Sequence, residues 1–302
     1  MSIKKRKGRL FTFGCSFTYY FWPTWADFLG MEFEHYENWA QWGIGNRAIA
    51  ERVAECHAKN KFTKDDVVIV QWSVYARHDY YKPIHPIEFW RTKGGLFTDD
   101  NLKVYDMDWL STFFNEEAYV MHMLNNIVMV QNLLKTTNCQ WYMTSIKNIE
   151  LLGTDIKGGV DDEFEKGKES IEKDFPRLKF YIDKIWKENK THWLYPIQTH
   201  SEENTELGIW FLYDGVPWLD KHPSPSQHAD WLNKILRPML NLGDPPIEQK
   251  LWINSVSKAL KKEKNNFAEF CRIVHGNADK TDWYPKDTWP QIPIKGTLLV
   301  IK

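Results

Sequence analysis

The residue around which chemistry could be built in this sequence is a serine in a turn. Ser16 sits in Gly14-Cys15-Ser16-Phe17-Thr18, directly after Arg9-Leu10-Phe11-Thr12-Phe13, whose aromatic and β-branched residues predict a strand. A strand ending in a small-residue turn presents a hydroxyl at the edge of a sheet. That hydroxyl is a poor nucleophile by itself; it needs a base within hydrogen-bond reach and donors for an oxyanion. Gly43 and Gly45, in Gln41-Trp42-Gly43-Ile44-Gly45-Asn46, precede a predicted helix, where backbone N–H groups can meet an anion, although loops also use glycine freely. Two histidines stand close together late in the chain. His222 lies on the loop entering a predicted helix, and His228 lies within its first turns, where packing or hydrogen bonding is its expected role. Arg77 either anchors a substrate anion or pairs with an acidic neighbour such as Asp79. Cys15 reads as a small buried filler. His78 and His85 have no spacing that suggests a metal.

The elements that must position these residues alternate. Pro23 and Gly30 bound a short helix, and residues 33–39 form a second strand. A helix follows over 47–59, with Ile49, Val53 and Cys56 at helical spacing and Asn46 as its N-cap. Val67-Val68-Ile69-Val70 is a continuous β-branched run, as expected for a parallel strand buried on both faces, and it leads into Gln71-Trp72-Ser73. Residues 80–114 read as a long, aromatic, irregular insertion. A long helix over 116–136 carries Val120, Leu124, Ile127, Val130 and Leu134 on one side, and a strand follows over 140–146. Residues 153–169 read as an exposed loop, 170–189 as a helix with a break at Pro176, and 192–195 as a short strand. Ser224 and Gln227 form a capping box, with Pro225 at the first position of a helix over 225–240. Asp244-Pro245-Pro246 punctuates the chain. Helices over 247–263 and 265–274, a Trp- and Pro-rich stretch and a strand over 297–301 would complete it.

This alternation predicts an α/β fold, a three-layer α/β/α arrangement with a mostly parallel central sheet, plus a C-terminal helical and Trp/Pro-rich extension. Residues 1–244 form the main domain and 245–302 the extension. Ligands of such sheets bind at the carboxyl ends of strands, where Ser16, Gly43 and Ser73 would converge.

Composition narrows the function classes. Lys+Arg numbers 39 and Asp+Glu 40, so the basic excess that usually accompanies nucleic-acid binding is missing. The basic start, Lys4-Lys5-Arg6-Lys7, has no apolar run behind it to make a secretory signal, and no apolar run is long enough to span a membrane. Cys15, Cys56, Cys139 and Cys271 are widely scattered, which fits a reducing, cytoplasmic setting. With 16 Trp, 13 Tyr and 17 Phe, the aromatic content predicts large aromatic cores, or a groove lined for sugar faces.

Three blocks in order resemble the SGNH (GDSL-like) hydrolases. Gly14-Cys15-Ser16-Phe17-Thr18 is similar to their first block. Asn38-Trp39-Ala40-Gln41-Trp42-Gly43-Ile44-Gly45-Asn46 is similar to the second, whose glycine N–H helps to bind the oxyanion. Asp220-Lys221-His222-Pro223 is similar to the last, with its catalytic His-Pro and an upstream Asp. The resemblance covers residues 9–240 and implies an SGNH/flavodoxin-like fold and Ser-His-Asp acyl transfer. Ser16 would be the nucleophile, His222 the base and Asp220 its orienting group. The backbone N–H groups of Ser16 and Gly43 would hold the oxyanion.

Two positions depart from the family pattern. The third block usually supplies an Asn to the oxyanion hole. Here the strand ends in Gln71-Trp72-Ser73, so Gln71 or Ser73 donates instead, or the hole has two donors. Loss of one donor can cost about 2.7–4 kcal/mol of transition-state stabilisation. The Asp–His spacing is two rather than three. Trp72, Arg77 and Asn46 are the expected substrate contacts. The resemblance implies a serine esterase acting on an acyl ester, such as an O-acetyl carbohydrate, and the altered third block resembles divergent members encoded by bacteriophages. The alternatives are a non-catalytic glycan- or protein-binding module on the same scaffold, and an acyltransferase using the same site.

Overall fold

The computed structural model describes residues 5–20, 22–84, 87–91, 96, 105–146, 174–187, 189–197, 208–213 and 216–262. Expectations for residues 153–169, His85, Cys271 and everything after residue 262 fall outside them.

The centre is a four-stranded, all-parallel sheet. Its strands are β1 (Arg6–Phe13), β2 (Phe33–Asn38), β3 (Val67–Trp72) and β6 (Gln140–Ser145), in the order β2-β1-β3-β6. Phe11 pairs with Val68, and Val70 with Met143. Every residue of β3 is buried, as its unbroken apolar run demands of a central parallel strand. Alternate side chains therefore enter two cores. Phe11, Phe13, Val68, Val70 and Met143 face one core, and Leu10, Val67, Ile69 and Tyr142 face the other.

Helices cover both faces. On the first lie α2 (Asn46–Asn60) and α4 (Glu116–Thr137), with Ile49, Val53 and Cys56 of α2 and Val120, Leu124, Ile127, Val130 and Leu134 of α4 turned inward. On the second lie α1 (Trp25–Gly30) and α6 (Pro225–Trp231). The latter continues through a π-turn, Leu232–Leu236, into α7 (Arg237–Met239). The Ser224–Gln227 capping box and Pro225 start α6 as the sequence predicts. Five of the tryptophans, Trp22, Trp25, Trp39, Trp72 and Trp231, are among the largest fully buried side chains, so much of the aromatic content serves the interior.

Several expectations are corrected. The insertion at 80–114 is not irregular throughout. It holds an antiparallel hairpin, β4 (Tyr80–Ile84) with β5 (Ile87–Arg91), and a helix, α3 (Met107–Phe113), whose N-cap Asp106 accepts from Trp109 N–H. Pro83 argues against a strand, yet both strands of a two-stranded ribbon are edges, where proline is tolerated. The helix expected over 170–189 with a break at Pro176 takes the form, over the described residues, of a 3₁₀ turn at Pro176–Leu178, then α5 (Lys179–Ile182), then a π-turn at Asp183–Lys187. Residues 192–195 contribute a single bridge, Trp193 to Met143 of β6. A second hairpin, β7 (Ile209–Tyr213) with β8 (Val216–Asp220), pairs outside the central sheet. The extension expected from residue 245 opens with α8 (Ile247–Lys262). Trp252 packs edge-on against Phe28, Gln249 Nε2 donates to Phe28 O at 2.8 Å, and Val256 is buried. Among the described residues, no helix is long and apolar enough to cross a membrane.

Candidate active site

The chain leaves β1 at Gly14 and turns at once. The N–H groups of Thr18 and Tyr19 both donate to Cys15 O, at 3.0 and 3.1 Å. Thr18 O accepts from Thr24 Oγ1 at 2.7 Å and from Asn38 Nδ2 at 3.0 Å, and Thr18 Oγ1 donates to Gln71 Oε1 at 2.7 Å. The turn is thus held from the entry to α1, the end of β2 and the end of β3. A Cβ on Gly14 would lie 2.2 Å from Thr18 Oγ1 and 3.1 Å from Gln71 O, so only glycine fits there.

Asp220 ends β8, and His222 stands in the loop between β8 and α6. The His222 Nε2 atom lies 2.9 Å from Ser16 Oγ, and its Nδ1 lies 2.6 Å from Asp220 Oδ1. The carboxylate fixes the tautomer. Nδ1–H donates to Asp220, which leaves Nε2 to accept the Ser16 hydroxyl proton. The Asp–His spacing of two is accommodated by a tight local turn in which the His222 backbone N–H also donates to Asp220 Oδ1, at 2.9 Å. Asp220 is 1% exposed and Ser16 5%, while the His222 side chain keeps 29% of its surface. A deeply buried carboxylate therefore stands behind an imidazole that still reaches solvent.

No protein-family model matches this chain, and no curated protein matches it.

The loop from Trp39 to Gly45, which carries Gly43, is fastened to the serine turn. The Gln41 N–H donates to Gly14 O at 3.1 Å, which ties the loop to the serine turn, and Gly43 has φ 81°. Arg52 of α2 holds the loop from beneath, donating to Trp39 O at 2.8 Å and Gln41 Oε1 at 2.5 Å. Burial lowers the Arg52 guanidinium to about 10, against the opposing fields of Glu55 and Asp79. The end of the loop is fixed by Asp79, whose carboxylate accepts from Gly45 N–H at 2.6 Å and Ala48 N–H at 2.9 Å, a charge placed at the positive end of α2.

Asn46 is not the N-cap of α2, because Gly45 holds that position and Asp79 satisfies the free N–H groups. The Asn46 amide instead crosses to the end of β3. Its Oδ1 accepts from Ser73 N–H at 2.8 Å, and its Nδ2 donates to Ser73 O at 3.1 Å. The Ser73 N–H is therefore engaged within the protein, while its buried Oγ has no hydrogen-bond partner among the described residues. Gln71 is fully buried behind the serine turn, with Oε1 accepting from Thr18 and, at 3.4 Å, from Trp25 Nε1. Trp72 is fully buried with its Nε1 on Met143 Sδ, so it is a core residue rather than a substrate contact.

Arg77 donates to Ile44 O at 2.8 Å. Arg77 and Asn46 do line a cavity, of about 870 Å³, but it lies between α2, α3 and α4, and its lining includes none of Ser16, Gly43 and His222. His78 sits in that cavity against Tyr105, Trp109 and Tyr119, with Nδ1 2.9 Å from Tyr119 OH, and burial lowers its pKa. No cluster of metal-binding side chains occurs among the described residues. His228 is fully buried in α6, as its helical position predicts.

The sequence reading missed Tyr20, which touches both Asp220 and His222. It also missed Arg52 and the capping role of Asp79. Tyr20 follows Ser16 by four residues in an aromatic run, Tyr19-Tyr20-Phe21-Trp22, and nothing local distinguishes it from its neighbours.

Proposed function

We propose that the chain is a serine hydrolase of the SGNH type that cleaves acyl esters, with O-acetylated carbohydrate as the substrate class. The observation that carries the reading is the linear relay of Ser16 Oγ, the His222 ring and Asp220 Oδ1, with contacts of 2.9 and 2.6 Å. The strand order β2-β1-β3-β6 with helices on both faces supports an SGNH/flavodoxin-like three-layer fold.

In the first step Ser16 Oγ attacks the ester carbonyl carbon while His222 Nε2 takes the hydroxyl proton. The tetrahedral oxyanion is held by the backbone N–H groups of Ser16 and Gly43. Collapse breaks the bond between the acyl carbon and the alkoxy oxygen, and His222 gives the proton to the departing alkoxide. Water, deprotonated by the same imidazole, then attacks the acyl-Ser16 ester; collapse breaks the bond from the acyl carbon to Ser16 Oγ, His222 returns the proton to Oγ, and the acid is released. Asp220 holds the tautomer and offsets the imidazolium charge throughout. No step calls for a metal or organic cofactor. Trp42, 41% exposed on the loop tied to Gly14, offers an aromatic face for a sugar ring. The free, buried Cys15, Cys56 and Cys139 support a reducing, cytoplasmic setting.

One observation favours a second reading. With the Ser73 N–H engaged by Asn46, the strand that usually completes the oxyanion hole has lost this main-chain donor, and the Ser73 Oγ and Gln71 Nε2, buried and without hydrogen-bond partners among the described residues, remain as side-chain donors. A glycan- or protein-binding module would tolerate that loss. Hydrolysis of p-nitrophenyl acetate by the wild type and by Ser16→Ala separates the two readings. The enzyme reading expects turnover that Ser16→Ala abolishes, and equal rates for both proteins would exclude Ser16 as nucleophile. Product formation that requires an added sugar acceptor would identify a transferase.

A further inference from the structure

Asp220 and His222 belong to a two-stranded hairpin and its exit loop, outside the central sheet that carries Ser16. An isolated hairpin is marginally stable, so something must hold the pair in register with the serine to within a fraction of an ångström. The side chains that do so come from the serine's own turn. Tyr20 OH donates to Asp220 Oδ2 at 2.6 Å, the oxygen that His222 does not use. The Tyr20 ring lies flat against the imidazole of His222, with centroids 3.8 Å apart and planes 19° apart. Trp22 meets the Tyr20 ring edge-on at 4.7 Å, and its Nε1 donates to Pro223 O at 2.7 Å. Tyr20 and Trp22 thus contact Asp220, His222 and Pro223 between them. Phe17 packs against His222 as well, at 5.4 Å.

We infer that Tyr20 is a positioning residue for the Asp220–His222 pair, acting through both its hydroxyl and its ring. The hydroxyl occupies the second carboxylate oxygen, which fixes the carboxylate plane and leaves Oδ1 aimed at Nδ1. The ring fixes the imidazole plane, and its π-face favours the imidazolium that forms when Ser16 gives up its proton. The buried hydroxyl–carboxylate bond compensates for the short Asp–His spacing, since the local turn alone engages only one oxygen.

The inference rests on the esterase reading, and its test combines Tyr20→Phe with Tyr20→Leu so that the two can fail separately. Tyr20→Phe keeps the ring and loses the hydroxyl. Tyr20→Leu loses both. The expected result is a fall in kcat with little change in KM, about tenfold for Phe and at least tenfold more for Leu, in keeping with misplaced catalytic groups. A second readout needs no turnover. The low-field proton resonance of the His222 Nδ1–H, assigned by its loss in His222→Gln, should persist in Tyr20→Phe and broaden away in Tyr20→Leu. Thermal melts of the same proteins monitor folding. If both variants keep wild-type kcat and resonance, the inference is overturned. If activity falls only as the melting temperature falls, with the resonance unchanged, it is overturned too. A wild type without turnover, whose resonance still depends on the Tyr20 ring, would overturn the esterase reading and sustain the positioning role.

Discussion

One oxygen of Asp220 accepts two bonds from His222, backbone and ring, and the other accepts the Tyr20 hydroxyl. Replacing the acid with its amide tests the first of these directly. In Asp220→Asn the amide keeps the shape but can present N–H to the imidazole, which favours the tautomer whose Nε2–H faces Ser16. The expected loss in kcat is on the order of 10⁴-fold with KM nearly constant, measured by steady-state kinetics at pH 7. At this scale the sequence was partly legible. Ser16 is legible in the turn after β1, and Asp220 and His222 in the Asp220-Lys221-His222-Pro223 block that resembles a family motif, despite its short spacing. Tyr20 acts across 200 residues, and Arg52 and Asp79 act across a folded loop, so no local pattern reveals them. Asn46 was misread because a side chain that can cap a helix can equally bond any exposed backbone, and Asp79 had taken the cap. Trp72 was misread because a tryptophan at a strand end points either to the ligand edge or into the core, and only the packing against Met143 decides.

The elements were read more securely than the residues. The buried run of β3, the apolar faces of α2 and α4, and the capping box of α6 each carry their signal within one element. The hairpin β4–β5 was missed because Pro83 interrupts its pattern, and β7–β8 because its strands are short and lie outside the sheet. The element that matters most to the site is the turn after β1. Gly14→Ala forces a Cβ to within 2.2 Å of Thr18 Oγ1, so the turn must shift and Ser16 with it. The expected outcome is a protein destabilised by about 1–3 kcal/mol in urea melts, as for other overpacked sites. The proposed esterase activity should fall far more than the folded fraction does. Retention of both wild-type stability and wild-type kcat would show that the turn tolerates the change.

Over the whole molecule, two cores back to back hold one sheet, and the contacts that close it are distant in sequence. Arg9 and Asp66 join β1 to the turn before β3 through bonds of 2.8 and 2.6 Å, and Thr63 N–H adds another to the same carboxylate at 2.6 Å. Burial alone would raise the Asp66 pKa, but the hydrogen bonds from Arg9 and Thr63 outweigh it and set the carboxyl below its ordinary value. A carboxyl lowered in the folded state contributes stability that is present above its unfolded value, about 4, and is lost as pH falls through the folded value. Urea melts should therefore show Asp66→Asn less stable than wild type by about 2 kcal/mol at pH 7, with the gap closing below about pH 4. A gap independent of pH would contradict this assignment. The packing of α8 on Phe28 is not legible in the sequence: Pro-Pro punctuation marks a turn, and it does not say whether the next helix returns to the core. The central claim is that folding delivers an activated hydroxyl at Ser16, 206 residues from its base. Its most direct test is treatment of the intact protein with a fluorophosphonate, read by intact mass and peptide mapping. The account predicts one adduct, on Ser16, that disappears in Ser16→Ala and is strongly slowed in His222→Gln. An unmodified wild-type protein, or an adduct that persists in Ser16→Ala, would contradict it.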